Sequence, residues 1–331
     1  MRVFATARLF ASTLAVIVVA IACAGSPVRA ADSTPITIVV FNPPSLGAMF
    51  PDIIKQQKFD IANGIDITFI ERPPDAYAAQ FNSGEFQVGG SASVLIVGLG
   101  ATRGIKTSYL FNLFDYFGTV VTGRPDIKTL ADLAGKQIAA AKGTTNYTMF
   151  AWFAKQQGVD PDSLQVVNTA TPGLVGYALA DRADAVQLWE PAYTLVKAQR
   201  PDIRTIDLNI AKVWKAYTGG SVLPYLGVAA HQEWIDTHRD LIPGLYRAYK
   251  QAAAWAVANP AEAAPLVAAV KNDAERQAIA DLIRDNARLA MDLQPGDKIV
   301  NEIEATYRAG LDVGLFKDLP PASSIYTGGM E

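Results

Sequence analysis

Residues 141–150 read AKGTTNYTMF. The small apolar run Gln137-Ile138-Ala139-Ala140-Ala141 stands ahead of them and stops at Lys142-Gly143. Two threonines follow, and then a segment with helical spacing. This is a strand, a tight turn and a helix whose first turn carries hydroxyls. Free N–H groups and the positive end of the helix dipole collect at such a start, so the turn suits an anion or another hydrogen-bond acceptor. A nucleotide phosphate, a reaction oxyanion and a small solute would all satisfy it.

Strands and helices alternate outward from this unit. Upstream, Ile36–Phe41 is β-branched and apolar, a buried strand, and Asn42-Pro43-Pro44-Ser45-Leu46-Gly47 reads as a loop after it. Ile65–Ile70 alternates as a second strand, Asp75–Asn82 reads as a helix, and Phe86–Gly90 as a short strand. Thr129 and Asp132 have the spacing of a capping box, with Gly135 placed to end the helix. Downstream, 164–168 and 185–189 read as strands, the second stopped by Glu190-Pro191. Such alternation predicts parallel sheets covered on both faces. After a further strand within Val222–Ala230 the chain becomes alanine-rich and helical, with a clear helix start at Asn259-Pro260-Ala261-Glu262.

The first thirty residues have early arginines (Arg2, Arg8), an apolar run from Leu9 to Ala22 and a small-x-small site at Val28-Arg29-Ala30. That is the three-part pattern of a secretory signal, too short and wrongly flanked for a spanning helix. Cleavage after Ala30 is expected, with lipid attachment at Cys23 as the alternative. Cys23 is the only cysteine of the 331 residues, so cleavage at Ala30 would leave no thiol, no disulfide and no cysteine nucleophile. Stability must then come from the apolar core, which at this size buries about three quarters of the chain's surface. The formal net charge of −3 and the lack of a basic run argue against nucleic acid.

Two chemical readings fail on spacing and inventory. Val94–Gly104 looks like a strand entering a dinucleotide fingerprint, but Arg103 stands where the third glycine belongs, so the segment reads as a helix ending at Gly104. A hydrolase would need a nucleophile elbow or a metal motif, and neither occurs. The only histidines, His231 and His238, fall in a charged stretch that reads as exposed surface. No metal site and no cofactor are expected. Two similar turns remain, Gly89-Gly90-Ser91-Ala92-Ser93 and Lys142-Gly143-Thr144-Thr145, each following a strand and opening a helix. Their hydroxyls are N-caps, or they face each other across a solute cleft at the carboxyl ends of the strands.

The stretches FNSGEFQVG (81–89), TLADLAGKQI (129–138), GTTNY (143–147), GVDPDSLQVVN (158–168) and WEP (189–191) occur in an order and spacing that resembles the periplasmic substrate-binding proteins of ABC importers for nitrate, sulfonate and taurine, the SsuA/THI5-like group. The likeness runs from about Ile36 to Pro260. It implies an α/β fold of the periplasmic binding protein type II, two α/β lobes joined by a two-strand hinge. Lobe one would hold 34–118 and 225–331, and lobe two 119–224. It also implies a monomer that binds a small-molecule ligand without catalysis and meets an inner-membrane ABC permease transiently. Carried over by position, the ligand contacts would be Asn42, Ser45, Ser91, Ser93, Tyr116, Thr144, Thr145, Tyr147, Trp189 and Glu190.

Some residues depart from the pattern. Asn146 stands where taurine binders commonly have histidine, and no arginine lies within the candidate turns. Glu190 suits a ligand amine or hydroxyl better than bare nitrate. Phe111, Phe114, Tyr116 and Phe117 read as core or as the wall for an apolar ligand group, and Trp189 is open to the same two readings. A taurine- or sulfonate-like ligand fits best. An aromatic-acid receptor, or a THI5-type pyrimidine protein with a histidine and a lysine-bound pyridoxal phosphate, is the alternative.

Overall fold

A computed structural model describes residue 1, residues 33–267 and residues 270–330. Beyond Met1 the expected leader, Cys23 included, lies outside the described residues. Asp32–Glu331 makes one compact unit. Among the described residues no helix is long and apolar enough to cross a membrane.

The β-branched run opening the unit becomes β1 (Thr34–Phe41), whose Ile38 and Val40 face one side and Val39 the other, all without exposure. A strand buried on both faces needs helices on both, and the chain supplies them. α1 (Pro51–Gln57) and α2 (Phe59–Ala62) lead to β2 (Ile65–Arg72); α3 (Pro74–Asn82) leads to β3 (Val88–Ser93); and α4 (Val94–Thr102) leads to β4 (Thr107–Asp115). The chain then crosses into a second body. This is built from β5 (Thr119–Thr122), β6 (Gln137–Ala140), α5 (Thr145–Gln156), β7 (Gln165–Asn168), α6 (Thr171–Ala180), β8 (Ala185–Leu188), α7 (Ala192–Gln199), β9 (Arg204–Ile206) and α8 (Ile210–Thr218). It returns as β10 (Pro224–His231) and ends in helices: α9 (Gln232–Thr237), α10 (Ile242–Ala258), α11 (Pro260–Val267), α12 (Asp273–Asp285) and α13 (Val300–Asp312).

Two five-stranded sheets result, ordered β2-β1-β3-β10-β4 and β7-β6-β8-β5-β9. They are mixed, not parallel as the alternation predicted: β10 is antiparallel to β3 and β4, and β5 to β8 and β9. Both exceptions have one cause. β5 and β10 are the strands that follow a crossing between bodies, so each enters its sheet at the crossing end and must run against its neighbours.

The glycines at 89 and 90 correct a second expectation. They do not open a turn; β3 continues through Ser93, paired with Leu226 of β10. A Cβ on Gly89 would stand 2.4 Å from the Tyr77 hydroxyl, and one on Gly90 2.7 Å from that of Tyr249. Close packing of aromatic side chains on a central strand demands glycine there, and local turn chemistry does not. The segment 94–102 is the expected helix, and Gly104 follows it at φ +87°. Thr129 and Asp132 form both arms of their capping box, around a 3-10 turn at Leu130–Leu133.

Phe111 and Phe114 sit in the core between the first sheet and α10, with Tyr249 against Phe111. The opposite face of that sheet joins a cluster that also holds Met149, Trp152 and Phe153 of α5. One apolar cluster therefore spans both bodies. Trp152 closes it with an indole N–H donated to Asp312 Oδ2 at 3.2 Å.

Candidate ligand site

The register puts the carboxyl ends of β6 and β8 and the start of β5 at one edge of the second sheet. The end of β3 presents α4 from the first body to this edge. The N-termini of α4 and α5 meet there: Ser93 Oγ and Thr145 Oγ1 are 2.6 Å apart. Ser93 precedes α4 in extended conformation, and its side chain caps no helix N–H, so its hydroxyl is committed to the other body.

Around this contact the other expected residues separate into three groups. Ser91 and Ser45 lie on the first body's side. Ser91 Oγ accepts from Phe41 N at 2.8 Å and rests on Gly47, where any Cβ would fall 1.9 Å from it. Ser45 Oγ is buried without a hydrogen-bond partner among the described residues. Tyr116, on the crossing segment, donates to Asn146 O at 3.3 Å and stacks on Phe153 with ring centroids 5.8 Å apart. Burial raises its hydroxyl well above the usual phenol range.

The second group serves the fold. Thr144 Oγ1 donates to Ala141 O at 2.8 Å and accepts from Tyr147 N at 3.2 Å, so it caps α5 and has no capacity left for a ligand oxygen to accept from. The Tyr147 ring lies against Phe150 and under the Lys142 ammonium at 5.9 Å. Trp189 is half-buried against the cluster of Leu174, Leu188 and Tyr193, which fits the core reading. Asn42 is exposed, its amide turned onto Pro43 O.

Glu190 forms the third group and departs most from expectation. Its Oε1 accepts from Arg288 Nε at 2.9 Å and its Oε2 from Thr194 N at 3.1 Å. The carboxylate is therefore neutralised by the protein and is not held out to a ligand amine. Arg288 also donates to Thr194 Oγ1 at 3.3 Å and lies 5.5 Å from the Tyr193 ring centre. No local sequence signal links Arg288 to Glu190, because the pair exists only through tertiary packing.

Asn146, noted in the sequence only as a departure from the taurine-binder pattern, and Gln187, which no sequence pattern marked, are further residues of this edge. Gln187 Nε2 donates to Asn146 O at 3.0 Å, and Asn146 Nδ2 approaches Leu188 O at 3.5 Å. Each contact engages one N–H of its amide, while Asn146 Oδ1, Gln187 Oε1 and Thr119 Oγ1 stay buried without partners among the described residues. These uncharged polar groups gather about the first turn of α5 and the facing ends of β5 and β8. The histidines stand elsewhere: β10 pairs Leu226 with Ser93 but Ala230 with Val88, so His231 is at the far end of that sheet. Both histidines are half-buried, not exposed, His231 on Phe81 O at 2.6 Å and His238 stacked on Trp234.

Asp115 closes β4 at the crossing. Its carboxylate accepts from Leu223 N at 3.2 Å, just ahead of the returning strand β10, and from Asn112 Nδ2 at 2.9 Å. Burial, helped by the nearby Asp292, pushes it up to about 7.

A family profile described as NMT1/THI5 like matches residues 58–263. The chain belongs to this family. The match takes this NMT1/THI5-like chain from the end of α1 into α11 and includes Ser93, Thr145 and Glu190, but Arg288 lies beyond it. The chain is similar in structure to the alkanesulfonate-binding protein SsuA from Xanthomonas axonopodis pv. citri bound to MOPS, with TM-score 0.70, 15% identity, 90% of this chain and 99% of that one covered. It is also similar to the periplasmic aliphatic sulphonate binding protein SsuA from Escherichia coli, with TM-score 0.66, 15% identity and coverage of 87% and 95%. A Candida albicans gene product with the generic periplasmic binding protein fold gives TM-score 0.62, 15% identity and coverage of 90% and 97%. A comparison with curated protein sequences gives no match. The NMT1/THI5-like chain has the fold of the periplasmic binding proteins, two α/β lobes with a cleft edge between them.

Proposed function

We propose that this protein is an extracytoplasmic solute receptor, not an enzyme. It closes two lobes on a small organic oxyanion, taurine- or sulfonate-like, and hands it to an ABC permease of the inner membrane. Lobe one is residues 34–118 with 225–331, and lobe two is residues 119–224. The observation that carries this reading is the hydroxyl contact of Ser93 with Thr145, which brings two helix N-termini from opposite lobes to one point. Each terminus offers free N–H groups and a positive dipole end, so an oxyanion placed between them is stabilised from both sides. The similarity to two sulfonate-binding proteins supports the ligand class. The leader-like residues 1–30 support export. The placement of His231 and His238 away from the helix ends weighs against a histidine-dependent reaction there.

Thermal unfolding of the refolded, ligand-stripped protein against a panel tests this. The panel holds taurine, alkyl and aromatic sulfonates, nitrate, aromatic carboxylates and pyrimidines. A true ligand at a hundred times its Kd adds about 2.7 kcal/mol by mass action. A shift with sulfonates alone is the expected result. A shift confined to pyrimidines or aromatic carboxylates replaces the ligand class, and turnover of any panel member overturns the receptor reading.

A further inference from the structure

Residues on both sides of the cleft edge are tied at one more place. Segment 290–294 runs along β4 in lobe one: Ala290 O accepts from Asp115 N at 2.8 Å, Asp292 N donates to Leu113 O at 3.1 Å, and Gln294 O accepts from Asn112 N at 2.8 Å. Arg288, just before this segment, is thereby fixed to lobe one beside the crossing strand. Its partners, Glu190 and Thr194, follow β8 and open α7 in lobe two. α12 of lobe one packs against α7 in the same region, and Gln199 Nε2 reaches Glu275 Oε1 at 3.5 Å.

We infer that the Arg288–Glu190 ion pair is a brace between the lobes that holds the closed angle, and that Arg288 is the positioning residue of the closure. The inference rests on the reading that the lobes hinge. The two charges are unequal in their surroundings: the Glu190 side chain is 1% exposed and that of Arg288 39%. Loss of the arginine leaves a lone carboxylate out of water, which is strongly unfavourable. Separation of the lobes is the movement that would bring water to it. Loss of the carboxylate charge leaves a guanidinium that already reaches water, so the driving force for opening is smaller. A contact that only stabilised the fold would lower the unfolding midpoint without changing the radius of gyration.

Small-angle X-ray scattering of the full chain, without added ligand, reads it directly. The comparison takes the parent, Arg288→Ala, Glu190→Gln and the double variant Arg288→Ala/Glu190→Gln. The expected result is a shift to a larger radius of gyration for Arg288→Ala, a smaller one for Glu190→Gln, and a double variant less open than Arg288→Ala because no charge is stranded. A folded Arg288→Ala with the parent's radius overturns the brace, as does an equal or larger opening in Glu190→Gln. Should Arg288→Ala fail to fold by circular dichroism, Arg288→Lys takes its place, since an ammonium cannot span Glu190 and Thr194 together. It should open partly, and no opening overturns the brace. Because no ligand enters the experiment, its failure is separate from a negative thermal panel.

Discussion

At the scale of the residue, neighbouring threonines have different tasks. Thr144 caps α5, while Thr145 reaches Ser93 across the cleft edge. Thr144→Val should therefore cost about 1 kcal/mol of stability, the usual loss for a cap. It should leave the affinity for a ligand found in the thermal panel within error, as judged by calorimetric titration. Thr145→Val keeps the shape but removes a hydroxyl that bridges the lobes. It should weaken the same ligand by about ten-fold, the equivalent of a lost hydrogen bond of about 1.4 kcal/mol. Equal affinities for the two variants would show that the contact between helix ends does not face the ligand. Trp189→Ala should destabilise by about 2 kcal/mol, less than a fully buried tryptophan because it is only half-buried against Leu174 and Tyr193. Affinity lost with no loss of denaturant midpoint would move Trp189 to the ligand.

At the scale of the element, β3 shows how packing overrides local pattern. Its glycines suggested a turn, yet they form a central strand because Tyr77 and Tyr249 press on them from either side. Gly90→Ala would bring a Cβ within 2.7 Å of the Tyr249 hydroxyl, 2.9 Å of Val40 and 3.0 Å of Ile38. Overpacking of that kind costs about 1–3 kcal/mol. The Tyr249 hydroxyl is buried without a partner among the described residues, so Tyr249→Phe should be close to neutral and should relieve part of the Gly90→Ala cost. A double-mutant cycle in urea measures this, and strict additivity would refute the close approach. The capping box at Thr129 and the helix Val94–Thr102 were legible because their signals are local: an acid three residues on, and an apolar run ended by Arg103-Gly104. β4 was legible only as an aromatic cluster of unsettled role, since a strand that is wholly buried shows no alternation.

At the scale of the whole molecule, the crossing between lobes holds a titratable group. Asp115 rises from 3.8 to about 7 in the folded protein because burial disfavours its charge. The native state thus holds its proton more tightly than the unfolded chain. The penalty is absent below about pH 4, grows as pH rises and is complete above about pH 7. At ~1.36 kcal/mol per unit, the shift corresponds to about 4 kcal/mol. Asp132, Asp184 and Asp202 are lowered by hydrogen bonds and salt bridges and pull the opposite way, losing stability as pH falls. The comparison must therefore be between parent and Asp115→Asn. The stability of the variant relative to the parent should rise between about pH 4 and 7 and level off above, in denaturant titrations at each pH. A pH-independent difference would place the carboxylate in water.

The sequence by itself determined the α/β character, the two hydroxyl-bearing helix starts and the family, because each depends on spacing within one strand–helix unit or on ordered motifs. Only the tertiary structure decided which hydroxyls meet and which acid is spent. Ser93 finds Thr145 and Glu190 finds Arg288 across 52 and 98 residues of chain, where no local preference reaches and only the docking of two lobes sets the distance.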